Sequence, residues 1–155
     1  MSATLLPSPN AAAASALLEI SGLRLELPQS EIQSLEMAAE IDTEETKPFS
    51  VGWVHVKQER WPVYCLSPEL ALLIVVPRER RSCVVLNIGA GYIGILCDTF
   101  SLDVQIAPEQ RHELPVPMRM PDTPVLGLVA LNETDVACAT NAERLVEHVT
   151  RMVNL

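Results

Sequence analysis

The sequence is poor in aromatic residues and in basic residues. Aromatic side chains make up 4% of its 155 residues, whereas apolar side chains make up 48%. A core can therefore form, but it must be built mainly from Leu, Val, Ile and Ala. The formal net charge is −9. An acidic surface opposes binding to nucleic acid or insertion at an anionic membrane, since both partners require a basic surface.

The sequence also lacks the spacings that bind metals or perform catalysis. Four cysteines are present, but none forms a C-x-x-C pair, and three lie within apolar runs, which predicts buried thiols in a reducing compartment. His55, His112 and His148 are isolated from one another, so we expect no metal and no cofactor. No nucleophile motif occurs, so we expect no catalytic residue. No apolar run approaches the ~18 residues that cross a bilayer, and no basic leader begins the chain, which predicts a soluble cytoplasmic protein.

The clearest local pattern is a hairpin over residues 83–98. Apolar residues alternate over 84–88, a Gly-Ala-Gly turn follows, and a second apolar run returns. Gly89, Gly91 and Gly94 also spell G-x-G-x-x-G, the pattern of a dinucleotide-binding turn. That alternative needs a helix after the last glycine, yet the residues that follow are poor helix formers and a proline ends the window. The hairpin is favoured, and a small nucleotide-binding enzyme is the alternative.

Short strands account for most of the remaining pattern. A half-buried strand is predicted over residues 17–27, and another near 102–106. Hairpins are predicted over 51–66, with the charged tetrad from Lys57 to Arg60 as the turn, and over 125–139. About eight to ten short strands without strand–helix alternation indicate an all-β barrel or sandwich.

The two ends of the chain and two internal segments are less regular. Residues 1–16 are predicted to be a flexible tail, with a docked helix over 11–18 as the alternative. Residues 29–41 fit either a helix or a single helical turn that runs into a strand. Thr140 and Glu143 form a capping box before a C-terminal amphipathic helix. The basic cluster formed by Arg78, Arg80 and Arg81 is interrupted by Glu79, which favours a solvated loop.

Two of the hairpins carry ordered signatures. Residues 52–66 follow the pattern G-V-x-N-L-R-G-x-x-x-P-V-V-D-L, with Gly52, Pro62 and Leu66 at the right spacing. Residues 84–98 follow an apolar strand, a glycine turn and then G-[LI]-x-x-D, which ends at Asp98. Together these hairpins resemble the CheW family, the adaptor domain of bacterial chemotaxis arrays. The resemblance extends over roughly residues 17–153.

The resemblance implies a fold and a function. The fold would be two small SH3-like β-barrels packed on a shared aliphatic core, with a C-terminal amphipathic helix, over residues 17–155. The function would be non-catalytic coupling of chemoreceptor cytoplasmic tips to the regulatory domain of a CheA-type histidine kinase. The partner-binding residues that the resemblance indicates are Val51, Gly52, His55, Lys57 and Gln58.

The sequence departs from the family pattern in the region expected to contact partners. The Arg-Gly turn of the family is Lys57-Gln58 here, and a lysine lacks the planar five-donor fork of arginine. Gln58 adopts a positive φ less readily than glycine, so the turn is expected to differ in type. His55 replaces an asparagine, and Cys65 replaces an aspartate. These differences predict a divergent CheW-like protein, with a type IV pilus chemosensory system as one setting, or a degenerate domain with a different protein partner.

Three residues near this turn have two interpretations each. Trp53 and Trp61 flank the turn on opposite strands, where exposed rings would be interface anchors and buried rings would fill a core short of aromatics. Burial is favoured. Gly52 permits either close approach of a partner backbone or relief of a bulge.

Overall fold

Residues 13–154 fold into two β-sheets and one α-helix. The structure is a computed structural model that describes residues 13–154. The elements in chain order are β1 (Ser15–Ile20), β2 (Leu23–Pro28), β3 (Ile32–Met37), β4 (Gly52–Val56), β5 (Glu59–Leu66), β6 (Leu72–Leu73), β7 (Ser82–Asn87), β8 (Tyr92–Cys97), β9 (Thr99–Val104), β10 (Arg111–His112), β11 (Gly127–Ala130), β12 (Val136–Ala139) and α1 (Ala142–Val153). Single 3₁₀ turns lie at Gln29–Glu31, Ala38–Glu40, Pro108–Gln110 and Val116–Met118.

Each sheet is mostly antiparallel and contains one parallel contact. The first sheet has the order β10-β11-β12-β2-β1-β9, and the second has the order β3-β7-β8-β5-β4, with β6 paired to β5. The parallel contacts are β12 with β2 and β5 with β8. The predicted all-β class is confirmed: the two curled sheets form two SH3-like barrels.

Three apolar clusters explain how the barrels hold together. The largest draws on both sheets and on α1, and it includes Leu18, Ile20, Leu25, Leu27, Leu66, Val84, Leu86, Ile95, Leu145 and Val149. A second cluster fills the barrel of the second sheet, and a smaller third cluster packs around β11 and β12 of the first. Successive residues of β7 point alternately into the shared core and into the second barrel, so both faces of this strand are buried. The predicted shared aliphatic core is thus present.

The hairpin over residues 83–98 is confirmed as β7 and β8. The backbone N–H of Ile88 donates to the carbonyl of Gly91, 2.9 Å away, and Gly89 has a φ of 86°. Gly94 lies inside β8, where it pairs with Val63. A strand therefore follows the glycines where a dinucleotide site needs a helix, and the nucleotide-turn alternative is wrong.

The first predicted strand is in fact a hairpin. The chain reverses at residues 21–22 between β1 and β2, and Gly22 takes a φ of 91°. Strand β1 begins at Ser15, so residues 15–16 of the predicted tail belong to a strand. The helix alternative fails for the residues that β1 occupies. Residues 1–12 lie outside the described part of the chain.

Other boundaries differ from the predictions because long-range contacts decide them. Residues 29–41 follow the second alternative, a 3₁₀ turn that runs into β3. Strand β9 begins at Thr99, three residues before the predicted start. Helix α1 is capped by Asn141, whose side chain accepts from the backbone N–H of Arg144 at 2.8 Å. The predicted cap, Thr140, is buried and donates instead to the carbonyl of Pro124 at 2.7 Å.

The structure differs most from the prediction at the basic cluster of Arg78, Arg80 and Arg81. Arg78 and Arg81 are exposed, as a solvated loop requires, but Arg80 is only 2% exposed. Its guanidinium forms an ion pair with Asp98 at 2.6 Å and donates to the carbonyl of Leu66 at 2.7 Å. The solvated-loop interpretation is wrong for Arg80, because Asp98 at the end of β8 stands beside it in the fold.

Candidate partner-binding surface

The turn between β4 and β5 is a two-residue turn formed by Lys57 and Gln58, shorter than the predicted tetrad. Their φ angles are 53° and 68°. Positive φ at both central residues is the signature of a type I′ turn, whose twist matches that of the flanking strands. The expectation that Gln58 avoids this conformation is wrong. Because neither residue is glycine, the turn stores backbone strain.

The five predicted partner-binding residues fall into an exposed group and a covered group. His55, Lys57 and Gln58 are exposed at the end of the hairpin. Val51 is half-buried and packs against the interior of the second barrel. Gly52 is buried, and a Cβ there would come within 2.8 Å of the carbonyl oxygen of Asp42. The chain itself approaches the backbone closely at Gly52, and a partner contact at these five residues stays a prediction.

A charged network beside the turn is organised by Asp42. Its carboxylate lies 3.5 Å from His55 Nε2 and 3.8 Å from Arg60 Nε. The pKa of Asp42 is lowered, chiefly by the hydrogen bond that the backbone N–H of Glu44 donates at 2.9 Å. Arg60 stacks on the ring of Trp53, with its guanidinium carbon 4.3 Å from the ring centroid. The guanidinium of Arg60, on this side of the hairpin, is therefore already engaged within the chain.

The favoured interpretation of Trp53 is confirmed, since this side chain is buried. Its indole Nε1 donates to the carbonyl of Glu44 at 3.0 Å and lies 3.2 Å from that of Glu45. The acidic loop that carries these residues thereby folds against β4, where Asp42 also bridges to the Trp53 backbone. Trp53 therefore holds this loop against β4, and its buried indole N–H has hydrogen-bond acceptors.

Trp61 has a different environment, because it lies against the second hairpin turn. The ring is half-buried over Gly91, where a Cβ would overlap it. The ring of Tyr92 packs edge-on at a centroid distance of 5.6 Å. The ammonium of Lys57 lies 5.9 Å from the centroid of the Tyr92 ring. The rings of Trp61 and Tyr92 thus pack against each other between the two turns.

A cleft of about 390 Å³ lies between these turns. We call it the two-turn cleft, and it is lined among others by Lys57, Glu59, Trp61, Asn87, Gly91 and Tyr92. This cleft was not predicted from the sequence. The sequence shows an aromatic residue near each turn, Trp61 and Tyr92. These two residues become neighbours only because β5 pairs in parallel with β8, and the two strands are distant in sequence.

A larger cleft, of about 500 Å³, lies on the first sheet near Glu26 and Arg111. Glu26 is buried and accepts two hydrogen bonds from Arg111, at 2.9 and 3.0 Å, and one from Ser15 at 2.6 Å. Burial opposes ionisation of Glu26, but these hydrogen bonds outweigh it and lower its pKa. Because the carboxylate and the guanidinium satisfy each other, this cleft offers less unpaired charge than the two-turn cleft.

The remaining candidate reactive groups in the described chain are the cysteine thiols. Cys65, Cys83 and Cys97 are buried, and burial raises the pKa of Cys83 and Cys97 to about 12, which makes them poor nucleophiles. Residues 13–154 contain no group of three His, Cys, Asp or Glu side chains that could hold a metal ion. Among the described helices, none is long and apolar enough to cross a membrane.

Comparison with known proteins finds a likeness among solved structures. No protein-family model and no curated protein matches the sequence. Among solved structures, the chain is similar to the scaffolding protein TtCheW from Thermoanaerobacter tengcongensis. The TM-score is 0.67 and the identity 15%, with 86% of this chain and 92% of that chain covered. At this identity the likeness shows the fold alone. The resemblance predicted from the two hairpins is thereby confirmed for the architecture: the chain has a divergent CheW-like fold.

Proposed function

We propose that this protein is a non-catalytic adaptor of a bacterial chemosensory system. In this proposal it couples the cytoplasmic tip of a chemoreceptor to the regulatory domain of a CheA-type histidine kinase. The setting is the cytoplasm, beside membrane receptor arrays, in chemotaxis or in type IV pilus signalling. The CheW-like domain, predicted over residues 17–155, also includes Ser15 and Ala16, because β1 begins at Ser15.

The observation that carries the proposal is the extent of the structural likeness. The match to a scaffolding protein covers both barrels, since it includes 86% of this chain and 92% of the other.

The hairpin end at Lys57 is the proposed contact surface. Lys57, Gln58 and His55 are the exposed residues that a partner would touch, and Val51 and Gly52 support them from behind. A charged rim residue contributes to the association rate and to partner choice more than to raw affinity. The lysine therefore suits a contact that is made and broken during signalling.

A binding titration tests the proposal. Purified protein is titrated with the regulatory domain of the host's chemosensory kinase and, separately, with a receptor cytoplasmic fragment. Saturable binding in roughly the micromolar range is expected for a transient signalling contact. Lys57→Glu should weaken binding roughly tenfold through charge reversal, while the circular dichroism spectrum stays unchanged.

The control variant is Arg144→Glu, which makes the same charge change on the exposed side of α1. Equal losses for the two variants would show that net charge, and not the turn, governs binding. If the folded wild type bound neither partner, the adaptor proposal would fail. The second candidate, a degenerate CheW-like domain with a different protein partner, would then gain; it is favoured by the departures from the family pattern at His55, Lys57, Gln58 and Cys65.

A further inference from the structure

The end of the second barrel opposite the Lys57 turn carries an exposed apolar patch. Ile74, Val75 and Val76 are 71%, 78% and 38% exposed, respectively, and we call these residues the 74–76 patch. They follow β6, which pairs with the C-terminal end of β5, whereas the Lys57 turn lies at the N-terminal end of β5. Single exposed apolar residues are common on protein surfaces. Three adjacent β-branched side chains form a continuous surface instead, which is typical of a contact with another protein.

The structure holds the 74–76 patch in place from both sides. Before it, Leu73 pairs with Cys65 of β5, and the Leu73 side chain packs into the second barrel. After it, the backbone N–H of Arg80 donates to the carbonyl of Pro77 at 3.1 Å, and the guanidinium of Arg80 is buried. The patch is thus anchored at both ends, and an anchored segment loses less conformational entropy when it binds a partner.

The segment that carries the 74–76 patch lacks the usual protection against pairing. Strand β6 pairs with β5 on one side, and no other strand of the described chain pairs with it. Exposed strand edges usually carry charged side chains that oppose pairing with another chain. No charged residue lies between Glu69 and Arg78 in this sequence. Nothing in the segment itself therefore opposes the approach of another chain.

The charges around the patch are self-complementary. Ile74 lies five positions after Glu69 and four positions before Arg78. Both charged side chains are exposed, and neither forms an ion pair within the described chain. When two copies of such a segment lie antiparallel about a two-fold axis, the acidic end of each copy meets the basic end of the other. Glu79 lies at the basic end, but Arg81 adds a second exposed cation there, so this end remains net positive.

We propose that the 74–76 patch is the interface of a symmetric dimer of this chain. The patches of the two copies pack antiparallel, and Glu69 of each copy pairs with Arg78 of the other. A surface that is apolar at its centre and oppositely charged at its two ends matches a second copy of itself, whereas a uniformly charged partner would be repelled at one end. Three side chains expose much less than the ~800 Å² that each partner buries in a standard interface, so the dimer should be weak.

The dimer goes beyond the proposed function and does not depend on it. The 74–76 patch and the Lys57 turn lie at opposite ends of β5, whose eight residues span about 25 Å. Contact through the patch therefore leaves the Lys57 turn of each copy free. If these turns contact kinase regulatory domains, as proposed above, one dimer carries two such domains and strengthens their combined binding through effective concentration.

Sedimentation velocity of the whole protein tests the dimer. The concentration series runs from about 10 µM to about 1 mM, which brackets the dissociation constant of roughly 100 µM expected for a contact of this size. The sedimentation coefficient should rise from that of a monomer towards that of a dimer. Val75→Asp places a carboxylate at the apolar centre and should weaken the dimer at least roughly tenfold. Val116→Asp is the matched control, because Val116 is 72% exposed in the connection between β10 and β11, and it should leave the dimer unchanged.

A charge exchange tests the symmetry of the contact. Glu69→Arg and Arg78→Glu, each alone, should weaken the dimer roughly fivefold, because like charges then meet at both ends. An equimolar mixture of the two variants should recover association, since each copy supplies the charge that the other copy needs. Glu79→Gln should strengthen the dimer, because it removes the acidic side chain from the basic end.

Several results would overturn the dimer. A wild type that stays monomeric at the highest concentration has no such interface, and a dimer that Val75→Asp leaves intact uses another surface. A mixture of the two charge variants that associates no better than either variant alone would exclude the antiparallel two-fold contact. If the wild type is monomeric and Val75→Asp weakens binding of the kinase regulatory domain, the patch belongs to that domain. Because the dimer is measured without a partner, failure of the adaptor proposal would leave this result unchanged.

Discussion

The two ends of strand β5 use positive charge in opposite ways. At the C-terminal end, the carbonyl of Leu66 accepts from Arg80, which is buried and ion-paired with Asp98. At the N-terminal end, the ammonium of Lys57 is exposed and has no carboxylate partner in the described chain. Both cations lie in segments that flank strands of the second sheet, at opposite ends of β5, whose eight residues span about 25 Å.

The difference lies in how many acceptors each cation has. Arg80 also donates to Ser21 at 2.8 Å, so its guanidinium joins the first sheet to the ends of β5 and β8, although its Nε has no partner among the described residues. A buried charge persists only where such partners compensate its desolvation. Within residues 13–154 Lys57 forms no ion pair, and it is exposed to solvent. Arg80 is therefore a cation that holds the fold together, whereas Lys57 is a cation that is available to a partner.

Arg80→Met should have the largest effect. The variant leaves the half-buried carboxylate of Asp98 without its ion pair and the carbonyl of Leu66 without its donor, which we expect to cost about 3 kcal/mol of unfolding free energy. Urea denaturation measures the loss. Arg81→Met is the matched control, because the neighbouring arginine is exposed and should change stability by less than about 0.5 kcal/mol. Equal losses would show that Arg80 has no special place in the fold.

Glu26→Gln tests whether the stability of the first sheet also depends on a buried charge with hydrogen-bonding partners. The substitution weakens the hydrogen bonds from Arg111 and Ser15, and we expect a cost of about 2 to 3 kcal/mol at neutral pH. The pKa of Glu26 is lowered from 4.5 in the folded protein, so its stabilisation is present above that value and is lost as the pH falls through the folded-state pKa.

The measurement is thermal unfolding of the wild type and the Glu26→Gln variant in a descending pH series. Below about pH 4.5 the wild type should lose stability more steeply than the variant, and the two curves should converge. Parallel curves would show that Glu26 does not contribute to acid sensitivity.

Gly91→Ala tests the packing of Trp61 and Tyr92 near the N-terminal end of β5. A Cβ at this position overlaps the Trp61 ring, so the ring or the turn must move. We expect a loss of about 2 kcal/mol, typical of overpacking. The double variant with Trp61→Leu should recover most of it, since the overlap is removed. If the double variant were no more stable than Gly91→Ala alone, the turn and not the ring would set the cost.

The predictable parts of this molecule are those with a local signal. Alternation over residues 84–88 predicts the central hairpin, because side chains of a strand change face at every residue. The charged segment after β4 predicts a turn, although not its two-residue length. The signatures in these two hairpins suffice to predict the CheW-like fold, which the structural comparison confirms.

The parts that could not be predicted depend on contacts between distant segments. Arg80 looks like a surface residue within Arg-Glu-Arg-Arg, and only the fold brings Ser21 and Asp98 to it. Trp61 and Tyr92 are 31 positions apart, and a parallel strand pair makes them neighbours. The candidate surface was therefore predicted as one turn, whereas the structure has two turns and a cleft between them.

The smallest expected effect is a gain in stability at the Lys57-Gln58 turn. Replacing both residues by Asn-Gly should raise the unfolding free energy by about 1 kcal/mol, because these residues accept positive φ at both positions. The same change removes Lys57, so binding to the kinase regulatory domain should weaken as stability rises. Gln58→Gly alone is the comparison variant, since it relieves strain and keeps the cation; it should gain stability and lose less affinity than the double replacement does. A larger loss of affinity in the double replacement than in Gln58→Gly would show that this end of β5 keeps its charge for a partner at a small cost to the fold.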